Sequence, residues 1–423
     1  MKIQDFQDNV TCGGFDNIFA NIYKPQDIES QKSRYMSAVE KFTALYPNRN
    51  DIHVYSAPGR TEIGGNHTDH QHGCVIAGAV DLDVIGVAAF HDENIIRIKS
   101  EGYDEFAVSL DDLDVHIGEK GSSEIVRGIA ARFKDLGVDI SGFDMYTTSN
   151  VLAGSGISSS AAFETLIATA IDSYYNNNQI GAVEIAKIGQ KAENEYFGKP
   201  CGLMDQTASS VGDAVAIDFK DPANPIVRSI NADLTGLGLA LCIIDCGADH
   251  AALTNEYASI PEEMCKVAAH FGKKVLREVK EEDLLANLAQ VRKEAGDRAV
   301  LRALHFYADD RRAAEEADAL ERKDKEAFLN LVKESGRSSW ELLQNITPAA
   351  AITHQDMAVA LTVAEKALNG KGACRVHGGG FAGTIQAFVP VEDVCEFKKT
   401  METMLSEGCC HVLSIRPAGG LIL

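Results

Sequence analysis

Short apolar segments rich in β-branched residues alternate with helical patterns in the first half of the chain, and this alternation restricts the possible folds most strongly. Strands are predicted at 53–57, 75–80, 83–90, 95–100 and 214–219, and helices near 122–136, 158–175 and 182–197. The second half differs, because one strong strand is followed by long amphipathic helices and two late strands. This mixture predicts an α+β fold with two domains.

The change between the halves follows a Pro-containing segment at 221–225. In the second half, strands are predicted at 237–245, 383–389 and 410–415, and helices near 261–279, 282–293, 310–320, 324–336, 353–368 and 391–407. The predicted domains are therefore residues 1–225 and residues 226–423.

Composition and charge limit the classes of partner. The chain has 423 residues, of which 45% are hydrophobic and 24% charged, as in a globular protein with a sizeable core. Its 62 acidic and 40 basic residues give a net charge of −22, which has the wrong sign for binding a nucleic-acid backbone. The most apolar stretch, 74–90, is interrupted by Asp81 and Asp83, so no membrane span is predicted.

The N-terminal segment and the cysteines indicate a cellular compartment. The first ten residues contain no apolar core of the kind that a secretion signal needs. The ten cysteines form no CxxC pair and no repeated metal-ligand spacing. Reduced thiols and a cytoplasmic location are therefore expected.

The strongest candidate for a phosphate-binding site is the segment LAGSGISSSA. Here Gly154 and Gly156 precede Ser158, Ser159 and Ser160, which open an apolar helix. Glycines allow close approach of the backbone to a ligand, and a helix N-terminus attracts anions. Serines also cap helices, so from the residues alone a cap and a phosphate loop are equally supported. The chain has no GxxxxGK motif, so a nucleotide would be held differently from one in a P-loop enzyme.

A second polar segment, PGRTEIGGNHTDHQHG, directly follows the first predicted strand. Arg60 can donate a fork of hydrogen bonds to phosphate, and Asp69 can accept hydrogen bonds from sugar hydroxyls. The histidines at 67, 70 and 72 do not match the HExxH spacing, which favours ordinary polar roles over a metal site.

A third segment, AENEYFGKPCGLMDQ, contains a helix end, a Pro-Gly turn and a new helix that begins near Asp205. A carboxylate in a first helical turn is stabilised by the helix dipole. Taken alone, the pattern favours a helix-start charge for Asp205 and a solvated helix face for Glu193. Near the C-terminus, HGGGFAG at 377–383 fits a turn or a ligand loop.

In this order and spacing, the segments resemble the galactokinase branch of the GHMP small-molecule kinases. The family motif GRxNxIGEHTDY is matched by GRTEIGGNHTDH from Gly59, and PxGxGLSSSA is matched by LAGSGISSSA from Leu152. The segment from Ala192, DCGADH at 245–250 and HGGGFAG also match. The resemblance extends from about residue 37 to the C-terminus, and five ordered motifs are far more specific than one.

The resemblance implies a two-domain GHMP kinase fold with the active site between the domains, and transfer of phosphate from MgATP to C1 of a galactose-like sugar. Asp205 would face the anomeric hydroxyl as a base or an orienting acceptor, and Arg60 would stabilise the developing charge. Implied to bind ATP are Gly154, Ser155, Gly156, Ser158, Ser159 and Ser160. Ser160 and Glu193 are implied to hold Mg²⁺. Implied to bind the sugar are Asn66, His67, Asp69, Gly202 and Tyr257.

Several positions depart from the family pattern. Asn66 replaces a Glu, His70 a Tyr, Leu152 a Pro and Ala382 a Gly. A Glu at position 66 would repel a C6 carboxylate, so Asn66 is expected to let the enzyme accept galacturonate better than an ordinary galactokinase does. The alternatives are therefore a galacturonate 1-kinase and, from another class, a non-catalytic sugar sensor. Retention of Arg60, Ser160, Glu193 and Asp205 disfavours the sensor.

Overall fold

Two β-sheets organise the computed structural model, which describes residues 1–151, 156–199, 201–247 and 253–423. Within these ranges the first sheet contains eight strands: β1 His53–Gly64, β2 Cys74–His91, β3 Ile95–Ser100, β4 Phe106–Ser109, β5 Gly142–Ser149, β6 Ala214–Asp218, β7 Ile226–Ile230 and β12 Leu421–Ile422. The second sheet contains β8 Leu239–Asp245, β9 Ala373–His377, β10 Thr384–Pro390 and β11 Cys410–Leu413. The predicted α+β class is confirmed.

The described helices surround these sheets. Those of the first half are α1 Ile3–Cys12, α2 Asp16–Ile22, α3 Ile28–Leu45, α4 Ser122–Asp135, α5 Ser159–Tyr175, α6 Ala182–Lys191 and α7 Met204–Val211. Those of the second half are α8 Thr254–His270, α9 Glu281–Ala286, α10 Leu288–Ala295, α11 Asp297–Glu321, α12 Lys325–Ser338, α13 Asp356–Leu368 and α14 Val394–Met404. A π-helical turn, Ala192–Phe197, continues α6. Among the helices in the described ranges, none has both the length and the apolar character that crossing a bilayer requires.

The long strand β2 is the centre of the first sheet. The strand order is β12-β1-β2-β5-β3-β4, and the β6–β7 hairpin pairs with the first part of β2. All of these pairs are antiparallel except β3 with β5. The second sheet is antiparallel throughout, in the order β11-β8-β10-β9.

The predicted interruption of β2 between residues 80 and 83 is wrong. The strand continues through Asp81 and Asp83, because each buried carboxylate has a cationic partner. Asp81 pairs with Lys24 at 2.9 Å, and Asp83 pairs with Arg34 at 2.6 Å. Paired and hydrogen-bonded charges can be buried in a sheet, whereas unpaired ones could not.

Both faces of the first sheet are covered. Val84 and Ala88 of β2 pack in the core beneath α4 and α5, while Ile85 and Val87 pack in an aromatic cluster with the N-terminal helices. This alternation follows from the two-residue period of a strand. The sequence did not predict α1 to α3.

The two sheets separate a few residues beyond the predicted domain boundary. The strand β7, which begins at Ile226, pairs with β6 in the first sheet, and the second sheet begins at Leu239. The last strand, β12, returns to pair with β1. A division at residue 225 therefore falls within the β6–β7 hairpin.

The 25-residue helix α11 contacts both β1 and β2, although only residues 310–320 were predicted to be helical. Its buried face includes Arg302, His305, Asp309 and Glu316. These polar residues interrupt the apolar period from which helices are predicted, so the sequence pattern identified less than half of α11.

Candidate active site

A bidentate ion pair joins the two residues predicted to be catalytic. Arg60 lies on β1, and Asp205 lies in the first turn of α7. Arg60 Nε donates to Asp205 Oδ1 at 2.7 Å, and Arg60 Nη2 donates to Oδ2 at 2.6 Å. Two parallel hydrogen bonds fix both side chains in one orientation.

Asp205 is ionised in this setting. Burial opposes its charge, but attraction to Arg60 and hydrogen bonds from Arg60 and Ser158 outweigh burial, so the pKa of Asp205 lies below its usual value. Ser158 Oγ donates to Asp205 Oδ2 at 2.7 Å. Asp205 can therefore accept a hydrogen bond from a ligand hydroxyl, but it is a weak base.

The described part of the glycine- and serine-rich segment meets this pair. Arg60 Nη1 donates to the carbonyl of Gly156, whose φ is +71°. Ser158 has φ of +58° and, within the described residues, makes no capping hydrogen bond to α5. Its hydroxyl binds Asp205 instead, which favours the functional interpretation of the segment over the helix cap.

The rest of that segment divides into two parts. Ser159 and Ser160 form the first turn of α5, with Ser159 exposed and Ser160 half-buried. Gly154 and Ser155, predicted to bind ATP, lie outside the described residues, as does Leu152.

A cavity of about 170 Å³ lies beside the Arg60–Asp205 pair. Five of its lining residues were predicted: Arg60, His67, Asp69, Gly202 and Asp205. Four were not predicted to bind a ligand: Glu62, His70, Cys201 and Met204. The other two, Gly378 and Gly379, belong to the segment that fits a turn or a ligand loop. The cavity thus brings together the polar segment after the first strand, the start of α7 and the glycine loop after β9.

A larger groove of about 540 Å³ lies between the N-terminal helices and the edge of the second sheet. Its charged residues include Lys24 and Asp81, which neutralise each other as an ion pair. The smaller cavity is the better candidate for an active site, because it combines several ionisable groups with the Arg60–Asp205 pair.

His67 is neutral and holds the glycine loop in place. Burial and the nearby His70 lower the pKa of His67 to about 4. Its Nε2–H donates to the carbonyl of Gly379 at 2.9 Å. One edge of the cavity is therefore closed by a contact between the two domains.

Asp69 and Gly202 touch each other at the cavity wall. A Cβ atom added at Gly202 would lie 2.5 Å from Asp69 Oδ2, which is closer than real contacts allow. Because glycine has no side chain, position 202 leaves room for the carboxylate of Asp69.

Asn66, which the resemblance implies to bind the sugar, is held by internal hydrogen bonds. It is fully buried, and the described cavity wall does not include it. Its Nδ2 donates to Glu62 Oε1 at 3.0 Å and to the carbonyl of Gly378 at 2.8 Å, while its Oδ1 accepts from Asn345 Nδ2 at 2.8 Å. Internal partners therefore occupy both ends of the amide in this structure, and a contact between Asn66 and the sugar stays a prediction.

Tyr257, on α8, lies behind the glycine loop. Its hydroxyl donates to the carbonyl of Gly380 at 3.0 Å, and its ring packs edge-on against Phe381. An added Cβ at Gly379 would lie 2.6 Å from this ring. Tyr257 is not among the residues of the described cavity wall, so in this structure it supports the loop from outside the cavity.

Glu193, one of the two predicted metal ligands, lies in the π-helical turn after α6 and is only 3% exposed. Its Oε1 accepts from Lys199 Nζ at 2.9 Å, and its Oε2 accepts from Gln206 Nε2 at 3.1 Å. Gln206 directly follows Asp205 in α7. The carboxylate of Glu193 is thus connected to the Arg60–Asp205 pair through Gln206, the neighbour of Asp205 in α7.

Glu62 is the main lining residue that the sequence analysis missed. Arg60 and Glu62 are two residues apart on β1 and pair in regular register with Ala79 and Ala77 of β2. Side chains two apart leave the same face of a strand. The two-residue spacing from Arg60, which was already a candidate, could therefore have identified Glu62 as a second side chain on the same face of β1.

The glycine loop was recognised as a candidate, but its partners were not. Carbonyl groups of three consecutive residues, Gly378, Gly379 and Gly380, accept hydrogen bonds from Asn66, His67 and Tyr257. These partners lie more than 100 residues away, and local patterns do not predict such contacts.

Comparisons with known proteins agree with this arrangement. The family model for the GHMP kinases N terminal domain matches residues 124–213, and that for the galactokinase galactose-binding signature matches residues 40–90. A galactokinase from Streptomyces coelicolor is 30% identical over 364 residues, which are 86% of this chain and 91% of that protein.

Solved structures share the fold. The crystal structure of Lactococcus lactis galactokinase complexed with galactose superimposes with a TM-score of 0.78 at 23% identity, covering 92% of this chain and all of that one. The mevalonate kinase of Methanococcus jannaschii superimposes with a TM-score of 0.60 at 16% identity, covering 86% of this chain and 98% of that one.

Proposed function

The chain belongs to the galactokinase family of GHMP kinases, and from that premise we propose that it transfers the γ-phosphoryl group of ATP to the C1 hydroxyl of galactose. The products are galactose 1-phosphate and ADP. The observation that carries this proposal is the bidentate Arg60–Asp205 pair, which lies between the serine-rich start of α5 and a polar cavity.

In this proposal, Asp205 orients the C1 hydroxyl and accepts its proton late in the reaction. General bases work best when their pKa is near the operating pH, and the pKa of Asp205 lies below even its usual value. Phosphoryl transfer depends mainly on positioning and on stabilisation of charge, so a weak base suffices. Arg60, fixed by Asp205, offers positive charge to the oxygens between sugar and phosphate.

Glu193 and Ser160 are proposed to hold Mg²⁺ with the ATP phosphates. A carboxylate and a hydroxyl are the hard oxygen ligands that this ion prefers. Within the described residues, Lys199 is the cation paired with the buried Glu193, and its side chain is 62% exposed. The donor set therefore fits the ion, which would neutralise charge on the phosphates.

The ATP phosphates are proposed to lie against Gly154, Ser155, Gly156 and the three serines. The contacts of Gly156 with Arg60 and of Ser158 with Asp205 support this proposal. We also propose a cytosolic location, because the structure pairs none of the ten cysteines in a disulfide.

The test is ADP release by the purified protein with MgATP and, in turn, galactose, galacturonate, glucose, N-acetylgalactosamine and arabinose. Galactose should give the highest kcat/KM, and ³¹P NMR should identify the product as a sugar 1-phosphate. Galactose binding without ADP release would instead support the sugar-sensor alternative. Turnover that favours galacturonate would support the sugar-acid kinase.

A further inference from the structure

We propose that Glu62, held in place by Arg375, selects a neutral sugar over a sugar acid in this cavity, an inference that rests on the proposed function. Glu62 lines the cavity from the same strand face as Arg60. It is 5% exposed, and as a lining residue it directs the little surface that it retains into the cavity.

One oxygen of Glu62 is anchored by the protein. Its Oε1 accepts from Arg375 Nη2 at 2.5 Å and from Asn66 Nδ2 at 3.0 Å. Arg375 is itself fully buried and fixed by the carbonyls of Ile63 at 2.9 Å and Val376 at 3.0 Å. Among the described residues, none donates a side-chain or backbone hydrogen bond to Oε2. A ligand hydroxyl can therefore donate to that oxygen.

The residue types at positions 62 and 66 are exchanged relative to the family motif. In GRxNxIGEHTDY the fourth residue is Asn and the eighth is Glu, whereas this chain has Glu62 and Asn66. The two side chains are hydrogen-bonded to each other here. The exchange therefore puts the carboxylate on β1 in the cavity wall and puts the amide just beyond the end of β1, in the buried contact with the second domain.

The charges of the cavity oppose an anionic sugar. Its described wall carries the carboxylates of Glu62, Asp69 and Asp205 but one guanidinium, that of Arg60. Arg60 is already paired with both oxygens of Asp205. Arg375, behind the wall, pairs with Oε1 of Glu62, so the carboxylate of Asp69 and the open Oε2 of Glu62 are left to face a ligand. A sugar carboxylate has no proton to donate to these oxygens and would be repelled by Asp69, whereas neutral hydroxyls can donate to both residues. This is the opposite of the tolerance for galacturonate expected from Asn66.

The ionisation of Glu62 provides a second measurement. Burial raises the pKa of Glu62 to about 7, against the lowering effects of Arg375 and Asn66. The charged or titratable groups that face it are Arg60 and Asp69, Glu316 on α11, and Arg375 and His377 on β9. Since Glu62 loses its charge as the pH falls through about 7, discrimination against a sugar acid should weaken in that range.

The experiment compares Glu62→Gln with the wild type in the full chain. Calorimetric titration measures binding of galactose and of galacturonate between pH 6 and pH 8, without ATP. Loss of a charged acceptor should weaken galactose binding about tenfold and shift the galactose-to-galacturonate preference by at least about tenfold. The change in preference with pH should disappear in the variant. A merely structural role of Glu62 would not change that pH profile.

Two further variants make the outcome decisive. Glu124→Gln is the matched control, because Glu124 is also buried and paired with an arginine, Arg127 at 3.3 Å, but lies on α4 outside the described cavity wall, and it should keep the wild-type preference. If Glu62→Gln does not fold, the exchange Glu62→Asn with Asn66→Glu keeps a carboxylate in the network. It should lose the pH dependence that is centred on Glu62.

An unchanged sugar preference in folded Glu62→Gln would overturn the proposal. Because binding is measured without ATP, galactose that binds but is not phosphorylated would overturn the proposed kinase activity and leave the Glu62 test valid. A wild type that binds galacturonate more tightly than galactose at pH 8 would overturn the Glu62 proposal directly.

Discussion

The residues around the cavity form two groups that are built from different parts of the chain. The proposed catalytic pair, Arg60 with Asp205, is assembled within the first domain from β1 and α7, and Ser158 at the start of α5 supports it. The cross-domain network instead joins Glu62, Asn66 and His67 of the first domain to Arg375 and the carbonyls of Gly378 and Gly379.

This difference separates two kinds of effect. Changes at the catalytic pair should alter turnover while leaving the domains in place. Changes in the cross-domain network should alter sugar binding together with stability, because the same hydrogen bonds shape the cavity and hold the domains together.

The largest expected effect comes from breaking the network at its buried cation. Arg375→Met would leave Glu62 buried without its partner and would remove hydrogen bonds to Ile63 and Val376. Removal of one partner from a buried ion pair typically costs about 3–5 kcal/mol, so the free energy of unfolding should fall by that amount. Chemical denaturation measures it.

A matched arginine provides the control. Arg228 pairs with Asp318 at 2.9 Å on the surface, and both side chains are nearly half exposed. Because exposed pairs contribute little, Arg228→Met should lower the free energy of unfolding by less than about 1 kcal/mol. Equal losses in the two variants would show that the network is no more important to stability than a surface pair.

The next largest effect is on turnover. Asp205→Asn keeps the size of the side chain but removes the charge that attracts the hydroxyl proton, so kcat should fall by at least about 100-fold. The dissociation constant for galactose should change little, because the cross-domain network stays intact. Steady-state kinetics and calorimetry measure the two quantities. Near-normal turnover would return Asp205 to the role of a helix-start charge.

The cross-domain network also contains a histidine, His377, whose protonation opposes folding. Burial, Arg60 and Arg375 lower the pKa of His377 to about 3, and its Nε2 accepts a hydrogen bond from the backbone N–H of Glu62. An unfolded histidine binds a proton below about pH 6.5 while the folded one does not. Stability from this group is therefore complete above that pH and is lost as the pH falls from about 6.5 towards 3.

In that window His377 should lower the free energy of unfolding by up to about 1.4 kcal/mol for each unit by which the pH falls. Glu62 has the opposite effect in the same window, because its raised pKa lets the folded state hold a proton that the unfolded state has lost. Relative to the wild type, His377→Gln should therefore change the slope of the free energy of unfolding against pH by this amount between pH 5 and pH 6. Asp205 does not contribute between pH 5 and pH 6. Because its pKa is lowered on folding, the stability that it provides is lost only at a pH below the usual pKa of an aspartate. An equally steep dependence in the variant would contradict the assignment.

The proximity of Arg60 and Asp205 could be predicted from the sequence because both residues lie in short motifs with local signals. Arg60 follows a predicted strand and Asp205 starts a predicted helix, and the structure brings them together as the resemblance implied. The α+β class could be predicted for a similar reason, since β-strand and helix periods are local properties.

The cross-domain network could not be predicted in this way. The position of Asn66 in a motif predicts a sugar contact, but it does not indicate that Glu62, Gly378 and Asn345 hold its amide. Most of α11 escaped prediction for the same reason. His305 and Asp309, which bind the backbone of Asn66, make the buried face of that helix appear polar in sequence.

A smaller effect is expected from a substitution next to Asp69, which is predicted to bind the sugar. In Gly202→Ala the new methyl group would press on Asp69 Oδ2 and turn the carboxylate away from its present position. Displacement of one hydrogen-bonding group should raise the KM for galactose about tenfold while kcat stays within about twofold. Steady-state kinetics at saturating ATP distinguish the two. A fall in kcat with unchanged KM would place Asp69 with the catalytic pair instead.

The smallest expected effect tests the support of the catalytic pair. Ser158→Ala removes one hydrogen bond to Asp205 while Arg60 keeps both of its own, so the carboxylate stays in place but is less firmly oriented. A hydrogen bond of this kind contributes about 1 kcal/mol, which corresponds to a fall in kcat of about fivefold. The KM for galactose should not change. Ser173→Ala is the matched control, because Ser173 lies near the other end of α5 and donates to Tyr55. Equal kinetics in the two variants would mean that Arg60 alone orients Asp205, and that the positive φ of Ser158 serves the phosphate segment rather than the carboxylate.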